Sequence, residues 1–119
     1  MAESIVATKA SAFALRIVKL YRYLTKDSPE KEFVMSKQVL RSGTSIGANI
    51  EEALRGQSRA DFASKMNISL KEACETRYWL KLLRDANYIS KDAAISILED
   101  CDELIRMLNS IVKNTNEKQ

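Results

Sequence analysis

The chain has no histidine, one proline, three glycines and two cysteines among its 119 residues. Without histidine it lacks the side chain whose ordinary pKa lies near neutrality, so acid–base catalysis is hard to assemble. One proline and three glycines leave few points at which a helix is forced to stop. Aromatic residues are sparse, and the β-branched residues do not alternate as a half-buried strand requires, so the class expected is all-α. No apolar run approaches the ~18 residues of a membrane span. The N-terminus lacks the basic-then-apolar form of a signal peptide, and a cytoplasmic location is expected. There is no glycine-rich phosphate loop, no metal-spaced carboxylate set, and no activating cluster readable around Cys74 or Cys101. No enzyme, cofactor, metal or small-molecule substrate is expected. The two cysteines fall on helix faces expected to be buried and read as free thiols in a reducing compartment.

What is present is helical periodicity, densest in the stretch from Leu40 to Ala53. There Val39, Gly43, Ile46, Ile50 and Ala53 share one face at 3.6 residues per turn. Gln38, Ser42, Ser45, Asn49 and Glu52 form a polar line along its edge. A glycine inside a helix costs roughly 0.5–1 kcal/mol against alanine. Gly43 and Gly47 on the inward face therefore imply that another helix comes very close.

The first helix is expected over about 4–26, with a seam of Val6, Ala10, Phe13, Ile17, Leu20 and Leu24. Its other side carries Lys9, Arg16, Lys19, Arg22 and Lys26, five cations within less than half the circumference. Leu15 and Val18 lie off the seam and need some other partner. A second helix is expected over about 29–56, with Ser28 as cap, Pro29 in its first turn and Gly56 at its C-terminal cap. Ser58 and Asp61 resemble a capping box opening a third helix over about 59–85. Its core side holds Phe62, Met66, Leu70, Ala73, Leu80 and Leu83, with Arg77 among them. Ile68, Trp79, Leu82 and Ala86 form a second apolar stripe roughly opposite, which points to self-association. Asn87-Tyr88-Ile89 makes the last turn, and Ser90 opens a fourth helix over about 90–113, with a seam of Ala94, Ile97, Cys101, Leu104, Leu108 and Ile111. The outer face of that helix is acidic at Glu99, Asp100, Asp102 and Glu103. Four helices of similar length with short connections predict one domain, an antiparallel up-down-up-down four-helix bundle.

The segment Phe33-Val-Met-Ser-Lys-Gln-Val-Leu-Arg-Ser-Gly-Thr-Ser-Ile-Gly-Ala-Asn-Ile-Glu-Glu-Ala53 resembles a family of bacterial four-helix-bundle proteins. The family is named for the intervening sequences of 23S ribosomal RNA genes. Ser69-Leu-Lys-Glu-Ala73, Tyr88-Ile89 and Leu104-Ile-Arg-Met-Leu108 fit it as well. The family's second helix typically reads Ser-(x)-x-x-Asn-Ile-x-Glu-Gly/Ala, which maps onto Ser45, Asn49, Ile50, Glu52 and Ala53. Many members have glycine where Ala53 stands. The resemblance covers nearly the whole chain in element order and implies a left-handed bundle assembling into a ring-like homopentamer. It also implies similarity in fold to the accessory protein of diversity-generating retroelements, a basic ring that binds nucleic acid and a reverse transcriptase. It implies no defined activity.

Each candidate site has a plainer reading beside the functional one. The cations at Lys9, Arg16, Lys19, Arg22 and Lys26 can neutralise phosphates of RNA or DNA, and ring assembly would multiply the modest net charge of +3. They can equally be the solvated face of an amphipathic helix, or dock onto the acidic fourth helix of a neighbouring subunit. Tyr23, at the edge of the stripe, is the nearest aromatic residue, so backbone-driven, weakly sequence-selective binding is expected. The Ser42, Ser45, Asn49 and Glu52 line reads first as a register-fixing network and second as a ligand groove. Ile68, Trp79, Leu82 and Ala86 read as an oligomer contact, with a different protein or a local extension of the core as alternatives. Two functions follow: a non-catalytic nucleic-acid-binding oligomer, or an adaptor homo-oligomer whose partner is a protein.

Overall fold

Each long segment turns an apolar seam inward, and in the computed structural model, which describes residues 2–117, the four seams interlock. The elements are α1 (Ala2–Arg22), α2 (Met35–Leu54), α3 (Arg59–Asp85) and α4 (Lys91–Glu117). No strand occurs among the described residues. Each helix packs on the next and α4 returns to α1, giving the antiparallel four-helix bundle, a rod of 50 × 21 × 20 Å. The α2–α3 boundary is the most closely packed and the α1–α4 boundary the least. Phe13, Ile17, Ile46, Ile50, Met66, Leu80, Leu104 and Leu108 fill the centre.

One of the two interior glycines is held in place by a close helix crossing. A Cβ on Gly43 would stand 2.8 and 2.9 Å from the two γ-carbons of Ile17, so α1 rides directly on the α2 backbone there. At Gly47 the nearest atom to such a carbon is Ala10 Cβ at 3.6 Å, an ordinary contact. The expectation of a very close helix holds for Gly43 and not for Gly47.

The junction between α1 and α2 differs from the expected one. A five-residue π turn, Tyr23–Asp27, extends α1, closed by the Ser28 amide donating to the Tyr23 carbonyl at 2.8 Å. Ser28 is extended, as a residue before proline prefers, and Pro29 starts no helix. The helix begins at Met35, and its cap is a glutamate. The Glu32 carboxylate accepts from the amides of Val34, Met35 and Ser36, the last at 2.7 Å, and the Ser36 hydroxyl donates back to the Glu32 carbonyl. This cage buries Glu32 and leaves Phe33 and Val34 exposed outside the helix. At the far end α2 stops at Leu54, and Gly56 has no positive φ, so it is not a left-handed cap. Its lack of a side chain leaves room for the Asp61 carboxylate, which would lie 2.7 Å from a Cβ.

The remaining turns follow ordinary capping chemistry. Ser58 Oγ accepts from the Asp61 amide at 3.0 Å, and Ser90 Oγ accepts from the Ala93 amide at 3.1 Å. Asn87 takes φ 66° just beyond α3. The Tyr88 amide reaches the Leu83 carbonyl and the Asn87 amide the Arg84 carbonyl, which is the Schellman pattern.

Candidate functional site

The five cations of α1 divide into two groups. Lys9 pairs with Glu103 at 3.1 Å, while Arg16 pairs with Asp100 at 2.6 Å and donates to Ser96 Oγ at 3.0 Å. Asp100 and Glu103 are three residues apart, so they share the edge of α4 that faces α1. Asp102 lies on the other edge and takes Arg77 of α3 at 2.7 Å. Three of the four acids expected on an outer face are thus consumed inside the chain, between α4 and its two neighbours, rather than left for another subunit. Lys19, Arg22 and Lys26 are exposed and have no ion-pair partner among the described residues. They occupy the end of α1 and the π turn.

That end of the rod also collects aromatic side chains. The up-down course brings the α1–α2 junction beside the α3–α4 turn. Tyr23, 41% exposed, and the half-buried Tyr88 line one cleft of about 370 Å³, with Pro29, Asn87 and Lys91. Tyr88 and Lys91 escaped the sequence reading because they lie far from α1 in sequence. A tyrosine in each of two turns that share one end of an antiparallel bundle was the available signal.

The polar line of α2 lies along its boundary with α3. Thr76 Oγ1 is 2.9 Å from Ser42 Oγ and 2.8 Å from the Glu72 carbonyl; its one proton goes to the carbonyl, so Ser42 donates to Thr76. Ser69 Oγ donates to the Ile46 carbonyl at 2.8 Å across the same seam. Ser45 and Asn49 bond back to carbonyls one turn earlier, and Gln38 receives only a long contact from Arg41. Glu52 pairs with Lys65 at 2.9 Å, and that hydrogen bond holds the exposed ammonium above its ordinary pKa. Arg41 bridges Glu72 and Glu75, and Glu75 also accepts from the Trp79 indole N–H at 3.0 Å. The bonds that cross the seam tie α3 to α2 at fixed heights.

The stripe on α3 is not uniformly open. Ile68 is 40% exposed and Ala86 is exposed, whereas Trp79 and Leu82 are half-buried, Trp79 against the chain's own core and edge-on to Tyr78. Cys74, expected to be buried, is exposed. It belongs to the outer side with Tyr78, because the inner positions are taken by Ala73, Thr76 and Leu80. Cys101 is buried, donates to the Ala73 carbonyl at 3.4 Å, and burial pushes its thiol up to about 12. No group of three His, Cys, Asp or Glu side chains able to hold a metal occurs among the described residues. No helix of these residues is long and apolar enough to cross a membrane.

The family model for the 23S rRNA-intervening sequence protein matches residues 2–110. The chain belongs to this family. Within it, the fold agrees with a crystal structure from Bacteroides thetaiotaomicron VPI-5482, a protein of unknown function from the S23 ribosomal protein family. The two chains are 54% identical, with a TM-score of 0.90, over 95% of this chain and 99% of the other. A comparison with curated proteins gives no match. The family's Ser45, Asn49, Ile50, Glu52 and Ala53 segment is the part of α2 that packs on α3, with Ile50 and Ala53 buried.

Proposed function

We propose that the protein is a non-catalytic, oligomeric, cytoplasmic binder of nucleic-acid backbone, contacting phosphates of RNA or DNA through the exposed end of α1. The observation that carries this is the division among its cations. Lys9 and Arg16 are neutralised by α4, but Lys19, Arg22 and Lys26 stand in solvent with no acid paired to them among the described residues. Exposed cations spaced along a helix end can each displace a condensed counterion from a polyanion.

The test is affinity for generic RNA and duplex DNA across a salt series. Binding should weaken steeply with salt, and replacing Lys19, Arg22 and Lys26 with glutamine should reduce the log–log slope by about 2–3. No binding at low salt, or an unchanged slope in the triple variant, refutes the reading. Lys9→Gln should alter the slope much less.

A second reading, an adaptor homo-oligomer with a protein partner, is favoured by Ile5, Leu15 and Val18, which lie exposed along α1, Leu15 at 56%. The homopentameric ring belongs with either reading. Light scattering should give a multiple of 13.5 kDa, and Leu15→Glu or Ile68→Glu a smaller folded species. A monomeric parent chain overturns the ring.

A further inference from the structure

The cleft at the end of the rod has a composition that a purely phosphate-binding surface does not need. One wall is Tyr23, carried on the π turn that extends α1, a residue 41% exposed. Tyr88, fixed by the Schellman turn that ends α3, lines the same cleft. The cleft, of about 370 Å³, has the volume to admit a planar heterocycle. The exposed Asn87 amide and the Glu30 carboxylate on the rim supply donors and acceptors for a base edge. Lys91 stands on the far rim. A shallower depression adjoins along the sparse α1–α4 boundary and contains Lys19; the two share Ile89. Two tyrosines and two lysines thus line a pair of adjoining depressions at this end of the molecule.

We propose that this cleft seats an unpaired nucleobase against Tyr23, so that the nucleic acid bound is single-stranded. This rests on the nucleic-acid reading above and narrows it. In a duplex the bases are stacked inside and cannot enter the cleft, whereas an unpaired strand can lay a base on the exposed ring while Lys19 and Lys91 take the adjoining phosphates. Stacking of a base on an aromatic side chain is sequence-tolerant and is worth roughly five- to a hundredfold in affinity per base.

The experiment compares fluorescence anisotropy of a short labelled oligouridylate, the matching oligothymidylate and an RNA duplex of equal length, with the parent chain, Tyr23→Ala and Tyr23→Phe. The single strands should bind about tenfold tighter than the duplex. Tyr23→Ala should remove most of that preference and leave duplex affinity unchanged, while Tyr23→Phe keeps it. The exposed position of Tyr23 makes misfolding of these variants easy to exclude by circular dichroism. With 5-iodouridine in the strand, irradiation should crosslink the base to Tyr23 or Tyr88 in the parent chain.

Equal affinity for paired and unpaired nucleic acid, or a Tyr23→Ala variant that binds both as the parent does, overturns the cleft while the phosphate-binding reading stands. Failure to bind any of the three at low salt overturns both. A crosslink mapped only to α2 or to the α2–α3 turn also overturns the cleft.

Discussion

Gly43→Ala tests the packing argument at its tightest point. The added Cβ would meet Ile17 Cγ1 at 2.8 Å and Cγ2 at 2.9 Å, with Ile17 Cβ at 3.3 Å. Carbon–carbon contacts are comfortable at about 3.5–4.0 Å, so both branches of Ile17 are roughly 0.7 Å too close. Ile17 is fully buried and, being β-branched in a helix, has one strongly preferred rotamer; rotation moves one branch away only by bringing the other round. The helices must then separate or Ile17 must leave its rotamer, at a cost of about 1–3 kcal/mol. Replacing a helical glycine returns roughly 0.5–1 kcal/mol, so the net loss falls between about 0 and 2.5 kcal/mol. Gly47→Ala meets nothing closer than 3.6 Å and should stabilise by about 0.5–1 kcal/mol. Urea unfolding at one fixed protein concentration reads both, since assembly makes apparent stability concentration-dependent. In a thermal melt the two variants should lie on opposite sides of the parent, each by about 3–6 °C per kcal/mol. Adding Ile17→Ala to Gly43→Ala should cost less than the sum of the single changes, because the new methyl occupies part of the space Ile17 vacates. The reasoning fails if Gly43→Ala is as stable as Gly47→Ala, or if the pair is additive.

Glu32→Ala removes the carboxylate that accepts three amides at the start of α2 and should cost about 2 kcal/mol in urea unfolding, whereas exposed Glu30→Ala should stay within about 0.5 kcal/mol. A thiol reagent at pH 8 should label Cys74 in the folded protein and spare Cys101, with both reacting after denaturation; equal labelling of the native chain contradicts the burial of Cys101. Because the folded-state pKa of Cys101 is raised to about 12, its contribution to stability is complete below the unfolded thiol's pKa and is lost as pH climbs towards 12. Cys101→Ala should flatten that alkaline part of the stability profile.

The bundle was legible because its evidence is periodic and local. The expected seam of α4 is buried throughout, that of the first helix is buried except for half-buried Leu20, and Ser58 and Ser90 cap as their spacing implied. The start of α2 was not legible, because Ser-Pro-Glu carries the usual signature of a helix start. The competing signal was a glutamate four residues before Ser36, whose long side chain curls back to do what a serine cap would do. Cys74 was misplaced for a geometric reason. On a 27-residue helix with two neighbours the buried arc is narrow, and Ala73 and Thr76 already fill it. Pairing between Lys9 and Glu103, or Arg16 and Asp100, depends on how α1 and α4 slide past each other, which no periodicity reports.

The charge layout follows from the same topology. Antiparallel neighbours place the middle of α1 beside the middle of α4, so the acids at Asp100 and Glu103 reach only cations at matching heights, Arg16 and Lys9. At the height of Lys19, α4 is in its first turns and presents the exposed Ala93 to the depression that Lys19 lines. Lys19, Arg22 and Lys26 are therefore unpaired as a consequence of where α4 begins. Moving an acid up α4 tests this directly. Ala93→Glu should supply Lys19 with a carboxylate across the adjoining depression, add no more than about 1 kcal/mol of stability as an exposed pair, and weaken binding of any polyanion at low salt. If Ala93→Glu leaves that binding unchanged, the end of α1 is not where the polyanion sits.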